Sequence, residues 1–341
     1  MKKRIIALVA SILILTLCII LLGQLTRPKY TDNAEGALIG EYYDNAGDND
    51  LIFVGDCEVY ESFVPAMLWG RYGISSYIRG SAQQLPWQSY YILEETFEYE
   101  TPKAVVFNVY SLKYGTPQNE AYNRMTLDGM KWSSLKTDAI KASMTDEESF
   151  IEYVIPLLRF HSRISELNRD DFKYMFSSPE VSHNGYLMQT GVVPMNESDS
   201  MEPLELLDYM LPERAMQYLD KMRELCEENG SELILVKAPT NSWAYWWYDE
   251  WNIQIEEYAE TYDLAYYNFI PEVDEIGIDM STDTYDGGLH LNVHGAEKLT
   301  EYFGRILTEK HGFDSKKGID PELDKAWNER VEKYYDDKKG E

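Results

Sequence analysis

The chain has 341 residues, a formal net charge of −28 at neutral pH, and 44% hydrophobic residues. This length and apolar content are enough for one large folded domain, and they argue against a disordered chain. So strong a negative charge repels polyanions, so we do not expect nucleic acid as a partner. A solvated acidic surface that keeps an exported domain in solution is a sufficient explanation of the charge.

The N-terminus has the composition of a membrane anchor. Three basic residues at positions 2–4 precede an apolar run over 5–22, which is long enough to cross a bilayer as a helix. The basic residues favour a cytoplasmic N-terminus, so the chain after Leu25 lies outside the cell membrane, with a charge of −28 − 3 = −31. A cleaved signal peptide is the alternative, but no small-x-small cleavage site follows the run. We expect an uncleaved single-pass anchor over 1–25 and a linker over 26–48.

The remainder of the chain predicts an α/β fold. Short apolar runs that end in turn residues are typical of buried parallel strands, and they cover 51–56, 74–81, 103–111, 232–239 and 264–270. Helical patterns alternate with them, over 65–72, 87–99, 212–228, 251–261 and 296–310. This alternation predicts a three-layer α/β/α sandwich with a mostly parallel sheet over 49–312.

Two segments lie outside this alternation. The stretch of about 113–210 is too long for a simple crossover, so we expect an inserted helical subdomain or lid there. The charged tail over 313–341 contains a helical pattern from Pro321 to Tyr335, and we expect it to pack weakly or fray.

The chain has three cysteines, and Cys18 lies in the apolar N-terminal run. The other two, Cys57 and Cys226, follow the run, where an oxidising exterior permits a disulfide between them. Cys226, however, shares one helical face with Leu219 and Met222, which favours a buried, unpaired core thiol. That leaves Cys57, directly after the Gly-Asp that ends the first strand, without a structural explanation.

A nucleophile at Cys57 needs a base, and the chain offers five histidines. His290 follows a glycine-rich turn, and Asp286 stands just upstream of it, so the turn lets the carboxylate fold back and orient the ring. His294 is the weaker candidate, because it starts or flanks the following helix. The other histidines have ordinary structural explanations, and they are His161, His183 and His311.

Three blocks, "FVGDC", "RGS" and "DGGLHLN", occur in this order at the ends of the predicted α/β domain. Together they resemble the blocks of the SGNH (GDSL) hydrolase superfamily, over roughly 51–303 without much of the insertion. The anchor resembles the branch that handles acyl groups on bacterial cell-surface polymers, with DltD-type D-alanyl-transfer proteins and polysaccharide O-acetyltransferases. The resemblance implies that Cys57 is the nucleophile, His290 the base and Asp286 the acid, and that the amides of Gly80 and Cys57 form the oxyanion hole.

The sequence departs from the family pattern at three places. A thiol replaces the usual serine hydroxyl at Cys57. The acid stands four residues before His290 rather than three, so Asp283 is the alternative to Asp286. The family's Gly-x-Asn-Asp block is missing, which leaves Asn108 either as a substitute oxyanion donor or as a residue that satisfies backbone near the strand end.

The predicted active edge also contains candidates for substrate binding. Trp243, Trp246 and Trp247 follow the fourth strand, where they either stack on sugar rings or pack in the core. Arg79 either binds an anionic substrate group or pairs with one of the many carboxylates. We expect no metal or other cofactor, since the sequence has no paired histidine spacing, no Cys-x-x-Cys and no phosphate-binding glycine loop.

These features define two functional hypotheses. The first is an extracytoplasmic acyltransferase or esterase that acts on O-acyl (acetyl or D-alanyl) groups of a cell-envelope polysaccharide or teichoic-type polymer, supplied by a membrane partner that exports acyl groups. A Cys57 thioester keeps the acyl group reactive, which favours transfer over hydrolysis. The second is a catalytically inactive glycan-binding or envelope-assembly accessory protein of the same fold.

Overall fold

The computed structural model describes residues 1–29, 36–194, 203, 205–241 and 245–340. Within these ranges, the centre of the protein is a sheet of five parallel strands in the order β2-β1-β3-β4-β5. The strands are β1 (Leu51–Gly55), β2 (Ser76–Gly80), β3 (Ala104–Asn108), β4 (Glu232–Lys237) and β5 (Ala265–Asn268). Each strand lies inside a predicted apolar run, and the predicted parallel α/β fold is confirmed.

Helices cover both faces of the sheet and form the insertion. Those of the sandwich are Cys57–Tyr60, Pro65–Met67 with its π-helical continuation Leu68–Tyr72, Pro86–Tyr99, the 3₁₀ helix Val109–Lys113, Glu213–Asn229, Asp249–Tyr262, Val273–Ile276, Val293–Lys310 and Pro321–Gly340. Those of the insertion are Glu120–Leu127, Ser134–Ser143, Phe150–Val154, Pro156–Phe160, the 3₁₀ helix His161–Glu166, and Arg169–Lys173. The N-terminal part contains Lys2–Thr26, Leu38–Glu41 and the 3₁₀ helix Tyr42–Asp44.

Alternating residues of each strand enter two separate cores. In β1, Leu51 and Phe53 pack beneath the helices Val293–Lys310 and Pro321–Gly340. Ile52 and Val54 of the same strand belong to the core on the opposite face, beneath the helices Pro86–Tyr99, Glu213–Asn229 and Asp249–Tyr262. Because both faces of the sheet are buried, these strands read as continuous apolar runs.

The sheet separates the two cysteines of the folded domain. Cys57 lies in the core on one face, and Cys226 lies in the core on the other. Both are unpaired, as is Cys18. A disulfide needs Cα atoms within about 7 Å of each other, so a bridge across the packed sheet is excluded. The prediction that Cys226 is a buried free thiol is confirmed.

The C-terminal helix packs closely on the domain, so the expectation of weak packing is wrong. Trp327 and Tyr334 are fully buried, and the Trp327 ring stacks on that of Trp69 with 5.5 Å between centroids. The Tyr334 hydroxyl donates a 2.9 Å hydrogen bond to Glu297. Trp327 and Tyr334 are seven residues apart, or two helical turns, so both fall on the same face of an otherwise charged helix.

Part of the predicted linker is also packed into the domain. Leu38 and Tyr42 are buried, and the Tyr42 hydroxyl donates a 2.7 Å hydrogen bond to Glu100. The Arg79 guanidinium lies 3.9 Å above the Tyr42 ring, which gives the aromatic ring a cationic partner. These contacts hold the stretch from Ala37 to Asp44 against the domain.

The insertion is helical in its first half and returns to the sheet in its second. Its described helices end at Lys173, and the following chain passes beside β2, where the Ile78 amide donates to the Asn184 carbonyl at 3.0 Å. There the Leu187 amide donates to the Tyr60 carbonyl at 2.8 Å, and the Val293 amide donates to the Gln189 carbonyl at 2.7 Å. The returning segment therefore joins the chain after β1 to the start of the helix Val293–Lys310.

The N-terminal helix Lys2–Thr26 is long and apolar enough to cross a membrane. Its buried residues, Gly23 and Thr26, both lie at its C-terminal end, where it meets the insertion.

Candidate active site

β1 lies at the topological switch point of the sheet, where the order of the strands reverses. The chain passes from β1 to β2 on one side of β1, and from β2 it crosses to β3 on the other side. A crevice therefore opens at the carboxyl end of β1. Gly55 has φ of +153°, and an added Cβ would lie 3.2 Å from side-chain atoms of Asn108 and Val59. Only glycine fits this crowded turn without displacing its neighbours. Cys57, two residues on, is thereby placed at the crevice.

The histidine and the acid come from one turn on the other side of the crevice. Gly287 and Gly288 have φ of +80° and +94°, which folds Asp286 back onto His290. Asp286 Oδ1 accepts the His290 amide at 2.8 Å, and Oδ2 lies 2.6 Å from His290 Nδ1. A proton on Nδ1 is held by this contact, so Nε2 is left as the basic nitrogen.

Asp283, the alternative acid, has a different role. Its carboxylate accepts a 2.6 Å hydrogen bond from Lys298 and a 2.7 Å hydrogen bond from the Asp279 amide. These contacts fix the start of the helix Val293–Lys310 against the preceding turn. Of the two candidates, Asp286 is the one in contact with the His290 ring.

The Cys57 thiol and the His290 ring lie close enough to shift each other's pKa. Burial raises the pKa of the Cys57 thiol, while the neighbouring His290 lowers it. Burial lowers the pKa of His290, but the Cys57 and Asp286 side chains raise it by a larger amount. The pKa of His290 therefore lies well above its usual value. His290 Nε2 is buried and makes no hydrogen bond of ordinary geometry with the described residues, which is typical of a nucleophile and base before substrate binds.

A second carboxylate stands beside the same imidazole. Glu61 Oε2 lies 3.5 Å from His290 Nδ1, and Glu61 Oε1 accepts a 2.7 Å hydrogen bond from the Tyr285 hydroxyl. The Tyr285 ring stacks on the His290 ring with 6.0 Å between centroids. Sequence reasoning missed Glu61, although its position four residues after Cys57, at the end of the same short helix, is a usable signal.

Tyr245 contacts the thiol directly. Its hydroxyl lies 3.4 Å from Cys57 Sγ, and its ring stacks on Tyr110 at 4.9 Å with an angle of 6° between planes. The Tyr245 ring also meets the His290 ring edge-on at 4.9 Å. Burial, followed by the charge of Cys57, raises the pKa of the Tyr245 hydroxyl, so it keeps its proton and is available as a donor.

Asn108 is fully engaged and does not face the crevice as an oxyanion donor. Its Nδ2 donates to Asp56 at 3.2 Å and to Glu58 at 2.9 Å, and its Oδ1 accepts the Ala238 amide at 3.2 Å. Both amide protons are therefore used within the protein. The role predicted for Asn108 as a donor is wrong, because two buried acids take the protons that an oxyanion would need.

These acids belong to a buried charge cluster beneath Cys57, which we define as Asp56, Glu58, Asn108 and Lys237. Lys237 Nζ donates to both carboxylate oxygens of Glu58, at 2.8 and 2.9 Å, and to the Ala238 carbonyl at 2.9 Å. Burial, and then the charge of Glu58, raises the pKa of Asp56 to about 7. Sequence reasoning missed the cluster, although the lysine that ends the apolar run "ELILVK" is a recognisable signal.

Gly80 lies at the carboxyl end of β2, where it is paired in register with Gly55. An added Cβ would lie 3.0 Å from the Gly55 carbonyl and 3.2 Å from the Tyr60 ring. The residue is thus held beside the short helix that begins at Cys57, and the oxyanion role of its amide stays a prediction.

The structure places three of the predicted substrate-binding side chains away from the thiol. Arg79 is completely buried and forms a 2.7 Å ion pair with Glu95, so the alternative interpretation of this arginine is correct. Trp247 is also buried, and its ring packs 5.4 Å from that of Trp251. Trp246 is exposed, with 39% of its surface accessible, and lies beside Tyr209, Tyr248 and Glu250 rather than beside Cys57.

Trp243 lies outside the described residues. The aromatic side chains around the thiol and the imidazole are tyrosines instead of tryptophans, and they are Tyr110, Tyr245 and Tyr285. Tyr245 belongs to the segment "NSWAYWWYDEW", for which the sequence predicted an aromatic lining. The prediction named the tryptophans of this segment and not Tyr245.

No protein-family model matches the chain, and no curated protein matches it. One solved structure that is similar to it comes from Desulfitobacterium hafniense DCB-2, and that protein is described as a member of the lipolytic G-D-S-L family. The two share 15% sequence identity with a TM-score of 0.36, over 76% of this chain and 100% of the other. A likeness at this level carries no argument about activity, so the functional assignment depends on the residues of the site.

Proposed function

We propose that this protein is a membrane-anchored enzyme of the SGNH superfamily that transfers or removes a small acyl group on an O-acylated cell-envelope polymer. Cys57 is the nucleophile, His290 the general base and Asp286 the acid that orients it. The observation that carries the proposal is the pair of hydrogen bonds that Asp286 accepts from the backbone amide and ring Nδ1 of His290, beside a cysteine at the switch point of a parallel sheet.

The chemistry proceeds in two balanced steps. His290 Nε2 takes the Cys57 proton while Sγ attacks the acyl carbonyl, and the C–O bond of the ester breaks as His290 returns the proton to the leaving oxygen. The acyl group is then held as a thioester. In the second step, His290 removes a proton from a hydroxyl of the acceptor polymer or from water while the new C–O bond forms, and the C–S bond breaks as His290 returns that proton to Cys57 Sγ.

Both steps develop negative charge on the acyl oxygen, which needs hydrogen-bond donors. With Asn108 engaged elsewhere, we assign a donor role to the Tyr245 hydroxyl, together with the amides of Cys57 and Gly80. The acyl oxygen is only two bonds from Sγ, so a hydroxyl 3.4 Å from Sγ can reach it after a small rotation. A protonated, buried hydroxyl stabilises an oxyanion strongly, because the donor is already oriented and poorly solvated.

The surroundings of the thiol favour transfer over hydrolysis. Cys57 is only 6% exposed, and Tyr245 packs against both the thiol and the His290 ring. A thioester in this environment is shielded from bulk water, and a bound acceptor hydroxyl competes well with water. The acceptor and the acyl donor are proposed from the exterior position of the domain, with a polymer of the envelope and a membrane protein that exports acyl groups as the expected partners.

The O-acyl content of the envelope polymers tests this function directly. Mass analysis of polymers from cells with and without the protein is expected to show a change in one acyl group. Cells that carry the Cys57→Ala variant are expected to match cells without the protein. An unchanged acyl content in both would contradict an acyl-transfer or esterase function.

Asp286→Asn is expected to lower kcat/KM for a chromogenic acetyl ester on the order of a thousandfold. The expected loss lies below the roughly 10⁴-fold effect of the corresponding change in serine proteases, because Glu61 remains 3.5 Å from His290 Nδ1. Asp286 raises the pKa of His290, so wild-type activity should rise with pH to an inflection above the usual imidazole pKa. In Asp286→Asn this inflection should move to lower pH.

Asp283→Asn is the matched control for this measurement. It changes a carboxylate that contacts Lys298 and not the His290 ring, so the pH of the inflection should stay at the wild-type value. An equal shift of the inflection in both variants would remove Asp286 from its assigned role.

Tyr245→Phe is expected to lower kcat about a hundredfold with little change in KM, since loss of one oxyanion donor costs on the order of 10²–10³. The substitution keeps the ring that stacks on Tyr110 and removes only the hydroxyl near Cys57. Tyr110→Phe is the control, because it also removes one buried tyrosine hydroxyl but leaves the Tyr245 contact with Sγ. If KM rises and kcat is unchanged, Tyr245 contributes to substrate binding instead of oxyanion stabilisation.

A further inference from the structure

Six large apolar side chains are exposed within one short stretch of the insertion. They belong to the successive short helices between Phe150 and Lys173 and to the turn that follows, and they are Ile151, Val154, Leu158, Ile164, Phe172 and Phe176. Phe172 is 61% exposed and Phe176 is 77% exposed. Neither Pro156–Phe160 nor His161–Glu166 has a buried residue, so the apolar side chains of these two helices do not pack in the protein core. Such a concentration of exposed apolar side chains is typical of an interaction surface.

The same helices hold the C-terminal end of the N-terminal anchor. An added Cβ on Gly23 would lie 3.5 Å from the Leu157 amide nitrogen, so the two backbones are in close contact. Arg163 donates a 2.6 Å hydrogen bond to the Thr26 carbonyl and forms a 3.1 Å ion pair with Asp171. Backbone packing at Gly23 and the hydrogen bond from Arg163 therefore join the anchor to the short helices.

This attachment fixes the height of the exposed residues relative to a bilayer. The uninterrupted apolar run of the anchor ends at Leu22, and the first fully buried residue of this helix is the next one, Gly23. At a rise of 1.5 Å per residue, the span from Leu22 to Thr26 is about 6 Å. The short helices thus begin at the level where the hydrocarbon of a bilayer gives way to its headgroups.

We propose that this face, which we name the membrane face and define by the six apolar residues above, inserts into the outer surface of the bilayer that the anchor spans. Helices that lie in the interface bury their apolar sides about 5–10 Å into the headgroup and acyl boundary. The anchor and the membrane face then form two attachments, which hold the domain in one orientation. The proposal rests on the proposed membrane anchoring and adds a second contact with lipid.

Apolar contact, rather than charge, has to drive this insertion. Basic side chains are present among the short helices, but two of them are already paired: Arg163 with Asp171 and Arg159 with Glu120 at 2.8 Å. The exterior part of the chain also carries a large negative charge, which repels anionic lipid. Insertion is therefore expected in neutral phosphatidylcholine vesicles and is expected to persist at high salt.

Lipid quenching of a fluorophore on the full-length protein tests the membrane face. In a Cys18→Ser, Cys57→Ala, Cys226→Ala background, which removes all three native thiols, single cysteines introduced as Phe172→Cys or Phe176→Cys are labelled with an environment-sensitive dye, and the protein is reconstituted into phosphatidylcholine vesicles. Matched labels are placed at Leu13 of the anchor, and at Ile253, which is 50% exposed on the helix beside β5. Lipids with a spin label high on the acyl chain serve as the quencher.

Labels on the membrane face are expected to be quenched at least about twofold more than the Ile253 label, as for side chains just below the headgroups. Quenching equal to that at Ile253 would overturn the proposal. A dye that reports an apolar environment without lipid quenching would also overturn it, since a protein then covers the face. The Leu13 label tests the membrane anchor separately from the membrane face. If the Leu13 label is not quenched, the proposed anchoring is wrong. If the Leu13 label is quenched and the labels at Phe172 and Phe176 are not, the anchor is supported and the membrane face is ruled out.

Discussion

Cys57→Ala is expected to abolish turnover of a chromogenic acetyl ester by the full-length protein in detergent, with a loss of about 10⁵–10⁶ in kcat. The substitution removes the atom that forms the covalent bond, and no other described thiol stands near His290. Mass analysis after brief mixing with the ester should show an acyl adduct on the wild-type chain and none on the variant. Hydroxylamine should remove the wild-type adduct, because thioesters react with it readily.

Cys226→Ala supplies the matched control. Cys226 is as inaccessible as Cys57 but lies in the core on the opposite face of the sheet. Its loss creates a small cavity and lowers stability, yet activity per folded molecule and the acyl adduct should be unchanged. A loss of activity in both variants would point to a general effect of emptying a buried thiol site rather than to a nucleophile.

Cys57→Ser adds a chemical test. A hydroxyl is much harder to deprotonate than a thiol, so this variant depends more strongly on His290 and should form an oxygen ester instead of a thioester. We expect activity above that of Cys57→Ala and an adduct that resists hydroxylamine. If turnover survives in Cys57→Ala, the triad is wrong, and the remaining hypothesis is a glycan-binding protein of the same fold.

The sequence predicted what depends on local pattern. All five strands lie within their predicted runs. The reason is clearest for β1 and β3, which are buried at every residue and are therefore almost continuously apolar. The contact between Asp286 and His290 is local as well, since it joins residues four apart across two glycines with positive φ. Such a contact is encoded in a short stretch and can be read there, even though the family spacing is different.

The sequence did not predict contacts that depend on which distant residue lies opposite. Arg79 pairs with Glu95 and Asn108 pairs with Glu58, and nothing in the local pattern of either residue names its partner. Trp247 was a candidate for the site edge, but it is buried in the core to which distant residues such as Val54 and Phe107 contribute. Alternative explanations were available for all three residues, and long-range packing decided between them.

The buried charge cluster combines both cases, because the lysine that ends "ELILVK" signals a buried cation in the sequence but does not identify its partners. Lys237 ends β4, Asn108 ends β3, and Asp56 and Glu58 follow β1, so the cluster ties together the carboxyl ends of three adjacent strands. Lys237 and Glu58 are both fully buried. A buried pair of this kind is costly to desolvate, but breaking it by removing one partner is strongly destabilising, because the other charge stays behind.

Lys237→Met is therefore expected to lower the free energy of unfolding by about 3–5 kcal/mol at pH 7. The variant removes the cation that lowers the pKa of Asp56, so this pKa, which burial and Glu58 already raise to about 7, should rise further. The folded variant then binds more protons than the unfolded chain, so its deficit should be full above pH 7 and shrink as the pH falls towards about 4. Denaturation followed by tryptophan fluorescence at several pH values measures this dependence.

Two further variants test whether the loss of stability in Lys237→Met comes from the buried, unpaired charge or from the change of side chain alone. Lys298→Met removes the same side chain from a pair whose lysine is 40% exposed, and it should cost less than about 1 kcal/mol. Adding Glu58→Gln to Lys237→Met should recover part of the loss, because the amide removes one buried charge and keeps an acceptor for Asn108. If Lys237→Met is no more costly than Lys298→Met, the buried charge cluster does not stabilise the carboxyl ends of these strands.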